Sequence, residues 1–332
     1  MRCVFPCLQL ICTDYLPDLP PTCLRRCISA LLEQFVAGDL NMALTAIGQA
    51  WALCDYFHST TAVVREGTDG SDPPLVSAQL LSSGDESAVF AVLWHDDYVP
   101  SQRVLWLLLL RGLALLGRNA GARAEVRLGA IQTLFRAIDM HGAESFDAWV
   151  WDSTMWAVVL PLAQSAVTQR QAIDSGGDEE TWRQCDETAS AALLGAAKTW
   201  ACRCPERVWA IGRADEAWRQ VWRLTLALFT GGEAGKRTRD GVAGALASMR
   251  ALVGSTTDVE WAWRAAWEAW VEMAVGITSS VDDTEEVVTQ EVLCALVEQS
   301  PALMTGLRSS GGGGFGVDEC SALLRVVRRV VA

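Results

Sequence analysis

Basic residues are few in this sequence relative to acidic ones. Among its 332 residues there are 27 Lys and Arg against 40 Asp and Glu, which gives a formal net charge of −13. Nucleic acids and anionic lipid surfaces attract basic proteins, so neither is expected as a general partner of this chain. Alternation of apolar and polar residues at a period of two is also nearly absent, which argues against a β-rich fold.

Histidine is scarce as well, and the common catalytic motifs are missing. The three histidines are His58, His95 and His141, and none stands at zinc-ligand spacing from a pair of cysteines. The sequence contains no GxSxG, no HExxH and no phosphate-binding glycine loop. We therefore predict no catalytic residue, no metal site and no cofactor.

No window of the sequence is long and apolar enough to span a bilayer. The most apolar one, Val104–Gly117 with the sequence VLWLLLLRGLALLG, is too short and is interrupted by Arg111, so we predict a buried helix there. The first residues, MRCVFPCLQLIC, could be mistaken for a secretory signal. Asp14 follows them at once, however, and no cleavage site is evident.

Cysteine is abundant, with 11 residues scattered along the chain and no CxxC pair. Cys3 and Cys7 are four residues apart, as are Cys23 and Cys27, so each pair would share one face of a helix. Such pairs could contribute to a zinc site. The favoured interpretation is that these are small buried side chains in a reducing cytosol.

Apolar residues recur at helical spacing along most of the chain, which predicts an all-α fold. The predicted helices are Thr22–Val36, Leu40–Phe57, Ser101–Leu116, Arg123–Met140, Phe146–Thr168, Glu179–Cys202, Asp215–Phe229, Arg237–Val253, Asp258–Val275, Glu285–Glu298 and Asp318–Val331. Helices of about 15–20 residues joined by short turns are typical of an α-solenoid. We predict degenerate antiparallel helix pairs of the HEAT or armadillo-like kind.

Turn-forming residues divide the predicted solenoid into five parts. These are N-terminal helices at 1–58, a long acidic loop with Gly, Ser and Pro at 59–100, the main helical region at 101–308, a glycine-rich linker at 309–316 and a terminal amphipathic helix at 317–332. Three arginines in the last helix could approach acidic lipid head groups, but they also suit the negative end of the helix dipole.

Tryptophan is unusually frequent, with 15 residues. In WAWRAAWEAW, Trp263, Trp267 and Trp270 share one helical face, which predicts packing between neighbouring helices. Trp261 points away from that face. Since tryptophan is enriched where proteins bind one another, Trp261 is our candidate for a partner surface.

One alternative is a helical enzyme with a buried pocket, such as a terpene cyclase. Those enzymes bind magnesium through acids at helical spacing. Asp96 and Asp97 in HDDYVP lack a third acid at that spacing, and the acids of VDDTEEV precede a helix, where they most simply favour its positive end. The enzyme reading is therefore the weaker one, and an unrelated helical-repeat adaptor is a further alternative.

Three segments, LNMALTAIGQAWALCDYF, EVRLGAIQTLFRAIDMHG and WDSTMWAVVLPL, carry a pattern that points to one family. The residues at matching positions are Thr45, Gly48, Trp51, Asp55, Arg127, Gln132, Phe135, His141, Gly142, Trp151 and Trp156. Asp186, in CDETASAALLGAAKTW, continues the pattern. With these residues the chain resembles the Mon-two (monensin-sensitivity) family of Golgi and endosome trafficking scaffolds, relatives of the BIG-type exchange factors for Arf GTPases.

The resemblance implies a non-catalytic protein of the cytoplasm that lies peripherally on Golgi and endosome membranes. Its implied partners are a Dopey-type scaffold, an Arf-like GTPase and a phospholipid flippase, so membrane association would come through the complex. Family members are several times longer, which implies that this chain is an internal or C-terminal part of such a scaffold. The exchange domain of the BIG-type relatives is not expected.

The segment EVRLGAIQTLFRAIDMHG shows how these residues are expected to act in a scaffold. Its apolar stripe predicts the buried face of a helix. Gly142 is predicted to end this helix with a positive φ. His141, just before that glycine, is predicted to be a cap or a packing residue and not a base.

Overall fold

The computed structural model describes residues 4–34, 39–64, 99–173, 178–231, 237–255, 260–279 and 290–309, together with residues 321, 323, 324 and 328. Every regular element in these ranges is helical. The predicted all-α fold is therefore confirmed. None of the helices in the described ranges has both the length and the apolar content that a membrane crossing requires.

The helices are numbered here in chain order. They are α1 (Phe5–Asp14), α2 (Pro21–Ser29), α3 (Leu40–Val64), α4 (Gln102–Arg118), α5 (Ala124–Ser145), α6 (Ala148–Thr154), α7 (Leu160–Gln171), α8 (Glu179–Thr199), α9 (Pro205–Trp209), α10 (Ala214–Thr230), α11 (Arg239–Ser255), α12 (Glu260–Ser279) and α13 (Gln290–Ser309). A 3₁₀ turn spans Leu16–Asp18, and single π-helical turns span Ala30–Gln34 and Met155–Val159.

The chain forms two compact units, each described here by itself. Unit 1 comprises Met1–Leu162 and Cys202–Gly212, and unit 2 comprises Ala163–Ala201 and Arg213–Ala332.

In unit 1, α4 runs antiparallel to both α3 and α5. Gln102, at the start of α4, donates a hydrogen bond to the carbonyl of Phe57 in the C-terminal half of α3. At the other end of α4, the carbonyl of Gly117 accepts a bond from Arg127 near the start of α5. It follows that α3 and α5 run parallel to each other, which is the arrangement that stacked helical hairpins produce.

Unit 2 repeats this alternation of direction. Trp200, just after α8, packs edge-on against Trp218 near the start of α10, so these two helices are antiparallel. Helices α8 and α11 are parallel, because Asp186 and Thr238 meet near the starts of both. Trp270 of α12 donates its Nε1–H to the carbonyl of Leu296 in α13. Within each unit, the predicted packing of solenoid-type helix pairs is thus present.

Several helix boundaries differ from the prediction. Helix α3 continues to Val64 instead of ending at Phe57, and at this extension the Gln102 side chain of α4 donates to the Phe57 carbonyl and to the Thr60 hydroxyl. Helix α13 runs through Pro301 to Ser309. Helices α1 and α9 were not predicted, since each is short and contains proline near its start.

Some of the predicted regions cannot be compared with the structure. Residues 65–98, 280–289 and 310–320 lie outside the described ranges. These include most of the predicted acidic loop and glycine-rich linker, and the acidic pairs of HDDYVP and VDDTEEV. Of the predicted terminal helix at 317–332, only the four residues named above are described, and they are helical.

Candidate functional site

Three residues of the family pattern, Trp51, Asp55 and His141, meet where the parallel helices α3 and α5 face each other. We call this contact the α3–α5 seam. Its polar and aromatic members are Trp51, Asp55 and His58 from α3 and Arg136, His141, Glu144 and Ser145 from α5. The seam is the one place among the described residues where two histidines come together.

His141 lies inside the seam, with only 7% of its side chain exposed. Its Nε2 is 3.1 Å from Oδ1 of Asp55. Its ring centroid is 5.3 Å from that of Trp51 and 6.0 Å from that of Trp106 in α4. An ionised carboxylate only accepts hydrogen bonds, so the nearby Asp55 favours the tautomer of neutral His141 that carries its proton on Nε2.

His58 stands beside His141 with the two ring centroids 4.7 Å apart. Its Nδ1 is 2.9 Å from the hydroxyl of Ser145, and its Nε2 is 3.5 Å from Oε2 of Glu144. One third of the His58 side chain is exposed, so water reaches this ring and not its neighbour. The two imidazoles therefore occupy different environments although they are in contact.

The seam disfavours the charged form of His141. Burial and then the neighbouring His58 lower the pKa of His141, while Asp55 and Glu144 oppose that shift. A neutral ring that packs against two tryptophans is a packing residue, which is one of the two roles predicted for it. The other predicted role is wrong: His141 does not cap α5, because that helix continues to Ser145.

Gly142 also differs from its prediction. It lies inside α5 and does not end it with a positive φ; among the described residues the glycine with a positive φ is Gly231. A Cβ added at Gly142 would lie 2.8 Å from Cζ2 of Trp151. Glycine is needed here because the Trp151 ring rests directly on the helix backbone.

The end of α5 is held by a residue that follows much later in the chain. Arg207, in α9, donates from one guanidinium nitrogen to the carbonyls of Ala143 and Phe146, at 2.8 and 3.0 Å. Carbonyls in the last turn of a helix have no partner within the helix, so a cationic donor at that point satisfies both bonding and charge. The sequence contains no signal that pairs Arg207 with α5.

Three more of the family-type residues are buried and structural. Arg127 donates its Nε–H to the carbonyl of Gly117 at 3.4 Å. Trp151 packs edge-on against Phe146 with ring centroids 5.2 Å apart. Trp156 donates its Nε1–H to the carbonyl of Gly212 at 3.0 Å. Each of these contacts ties one helix of unit 1 to another segment of the same unit.

The remaining family-type residues of unit 1 reach its surface. Thr45, Gly48 and Gln132 are exposed, and Phe135 is half-buried. Trp51 is half-buried under the guanidinium of Arg136, whose central carbon is 4.3 Å from a Trp51 ring centroid. Asp55 is 54% exposed. Internal packing therefore accounts for only part of the family pattern.

The tryptophan stripe of α12 is buried as its spacing predicts: Trp263, Trp267 and Trp270 lie in the core of unit 2. Trp267 and Trp270 stack with ring centroids 5.0 Å apart. Trp261 is half-buried and lies off that stripe. Its role as a partner surface stays a prediction.

Unit 2 contains a buried polar cluster that the sequence does not reveal. Arg170 of α7 bonds to Asp186 of α8, to the carbonyl of Gly231 and to the hydroxyl of Thr238. Thr238 in turn donates to the second carboxylate oxygen of Asp186 at 2.6 Å. Asp186 belongs to the family pattern, but its two partners come from separate segments, α7 and the residues just before α11.

The described cysteines are free thiols, and nowhere in the described ranges do three histidine, cysteine or acidic side chains converge as a metal ion requires. Cys23 is half-buried and Cys27 is buried, while Cys7 is exposed and Cys3 lies outside the described ranges. Burial raises the pKa of Cys204 to about 12.

Comparison with known proteins agrees with the residue pattern. Residues 13–220 match the family model for the C-terminal region of Mon2 protein. The human Protein MON2 homolog is 28% identical over 239 residues, and that of Xenopus laevis is 30% identical over 241 residues. Protein MON2 of Saccharomyces cerevisiae is 29% identical over 160 residues, which cover 46% of this chain.

The matched region is a small part of these relatives. The alignments to the two vertebrate proteins cover 68% of this chain but only 12% of each relative. The alignment to the yeast protein covers 9% of that relative. No solved structure matches the chain. Since the family model covers well over half of its residues, the chain belongs to the Mon2 family, and the family predicted from its sequence pattern is confirmed.

Proposed function

We propose that this chain is a non-catalytic scaffold segment that acts in transport between endosomes and the Golgi. The observation that carries the proposal is the match of residues 13–220 to the C-terminal region of Mon2. The packing of helices within each unit supports the proposal. Helical hairpins with tryptophan-rich cores expose long helix faces, which is how solenoid proteins bind their partners.

In this proposal the energy of binding comes from side chains buried at an interface and not from covalent chemistry. A few aromatic or arginine side chains usually supply most of that energy. The exposed face of the α3–α5 seam offers the Trp51–Arg136 stack, and unit 2 offers the half-buried Trp261. The proposed partners are a Dopey-type scaffold, an Arf-like GTPase and a phospholipid flippase, and the proposed location is peripheral on Golgi and endosome membranes.

The test is co-precipitation of the tagged full chain from cells, followed by immunoblotting for each of the three partners. A parallel fluorescent fusion would be scored for overlap with Golgi and endosome markers. We expect recovery of at least one partner and a punctate location near the Golgi. A chain that is helical by circular dichroism and yet recovers none of the three partners would contradict the proposal.

Matched variants locate the interface. Trp261→Ala and Trp51→Ala change half-buried side chains, whereas Trp270→Ala removes a fully buried one that bonds to Leu296. We expect one of the first two variants to lower partner recovery while its thermal unfolding stays near that of the unchanged chain. Trp270→Ala should lower stability. It is the control for a loss of partner recovery that is caused by misfolding.

A further inference from the structure

Two of the three histidines in the whole chain meet at the α3–α5 seam. Their ring centroids are 4.7 Å apart, and they connect two helices that are distant in sequence and parallel in space. Histidine is the side chain whose ordinary pKa lies closest to neutral pH, so a contact between two imidazoles is a place where protonation could act.

The groups that face the pair come from three helices. Helix α3 supplies Asp55 next to His141, and α5 supplies Glu144 next to His58. Helix α4 contributes the Trp106 ring, which does not titrate. Among the cations, Arg136 of α5 is held over the Trp51 ring, and Arg207 of α9 lies at the carbonyls of Ala143 and Phe146. At the starts of α4 and α6, Arg103 and Asp147 pair with each other at 3.3 Å.

We propose that the His58–His141 pair is a proton-sensitive contact, which holds α3 against α5 while His141 is neutral and loosens this seam when His141 is protonated against the neighbouring ring. The inference concerns the fold of unit 1 and does not depend on the proposed role in trafficking.

The physical reason is the different access of the two rings to water. His58 is partly exposed and faces both the Glu144 carboxylate and the Ser145 hydroxyl. His141 is almost completely covered, and neither of its ring nitrogens meets hydrogen-bond geometry with a partner in the described structure, although Nε2 lies 3.1 Å from Oδ1 of Asp55. A proton added at Nδ1 would thus be an unpaired buried donor beside a second imidazole.

The acids offset only part of this cost. Asp55 and Glu144 are 54% and 74% exposed, so water and salt screen their attraction for the imidazolium rings. The two rings, in contrast, touch each other directly. Burial and the neighbouring ring outweigh the acids, which is why the pKa of His141 lies below its ordinary value.

The direction of the pH effect follows from that lowered pKa. The unfolded chain binds a proton at His141 at about pH 6.5, whereas the folded chain binds it only at lower pH. The folded state is therefore most stable above about pH 6.5 and loses stability as the pH falls through and below that value. A contact dominated by Asp55 would show the opposite trend.

A titration by NMR of the full chain tests the first half of this proposal. Only three histidine Cε1–H signals are expected, and the variants His58→Asn, His95→Gln and His141→Gln assign them. We expect His141 to titrate below about pH 6.5. In His58→Asn, which keeps a hydrogen-bonding group near Ser145 but removes the charge, the pKa of His141 should rise.

Hydrogen exchange measured by mass spectrometry tests the second half. Exchange is compared at about pH 7.5 and pH 5.5, after correction for intrinsic rates. Peptides from α3 and α5 should lose protection at the lower pH. The expected loss is about tenfold for each pH unit over which His141 is protonated in the unfolded chain but not in the folded chain. Peptides from α8 and α11 serve as the reference, because they contain no histidine. His141→Gln should abolish the difference.

Either of two results would overturn the proposal. One is a His141 signal that titrates at or above about pH 6.5. The other is seam protection that stays equal or increases at the lower pH. If His141→Gln fails to fold, the unchanged chain and His58→Asn still decide between these outcomes.

Discussion

Arg170 and Asp186 form an ion pair inside unit 2, with 2.9 Å between Nε and Oδ1 and only 1% of either side chain exposed. The guanidinium also lies over the Trp182 ring, with its central carbon 5.0 Å from a ring centroid. Because Thr238 and the carbonyl of Gly231 complete the cluster, one arginine connects α7, α8 and the segment before α11. Such a charge is stable in the interior only while all of its partners are present.

We expect Asp186→Ala to destabilise unit 2 by about 3–5 kcal/mol, because it leaves the Arg170 charge buried without its counterion. Urea unfolding followed by tryptophan fluorescence would measure this loss. Glu180→Gln is the control, since it breaks an exposed pair with Arg183 on the surface of α8 and should change little. Equal effects of the two substitutions would contradict this account of the cluster.

Two helical glycines should respond in opposite directions to the same substitution. Gly142→Ala is expected to destabilise unit 1, because the added Cβ would lie 2.8 Å from the Trp151 ring. Gly48→Ala adds a Cβ with nothing within 4 Å, so it should stabilise α3 by about 0.5–1 kcal/mol through helix propensity alone. Thermal unfolding of both variants measures the difference, and a stabilised Gly142→Ala would show that Trp151 can move aside.

The role of Gly142 inside α5 could not be predicted from the sequence. The periodic stripe correctly predicted a helix from about residue 123, and Ser101 caps α4 where a helix start was predicted. A glycine at the end of such a stripe, however, looks the same whether it ends the helix or admits a ring from elsewhere. Only the tertiary position of Trp151 distinguishes the two cases.

The α3–α5 seam could not be predicted from the sequence, for a related reason. The spacing of Asp55 and His58 places them on one face of α3, and that of His141 and Glu144 places them on one face of α5. Which face of α3 meets which face of α5 depends on how the helices pack, and a slide of one turn would separate the two imidazoles. The family pattern included Asp55 and His141 but gave no reason to connect them with His58.

The thiols should differ strongly in their rates of alkylation. Burial raises the pKa of Cys204 to about 12, and its sulfur lies 3.8 Å from that of Cys202. Cys7 is exposed. Because the thiolate is the reactive form, iodoacetamide at mildly alkaline pH should modify Cys7 well before Cys204. Mass spectrometry of timed digests measures both rates. In a urea-unfolded control the two cysteines should react at similar rates. Early modification of Cys204 in the folded chain would argue against its burial.

Arg213, at the start of α10, adopts a left-handed backbone conformation with φ of 56°. Within the described ranges, no other residue except glycine has a positive φ. Gly212, before it, is fixed by bonds to Asp152 and Trp156. We expect Arg213→Gly to be tolerated and Arg213→Val to be less stable than it by about 1–2 kcal/mol, since a β-branched side chain clashes in this conformation. Both variants lose the pairing of Arg213 with Glu216, so comparing their urea unfolding isolates the backbone effect. Equal stability of the two would mean that the turn relaxes to a negative φ at no cost.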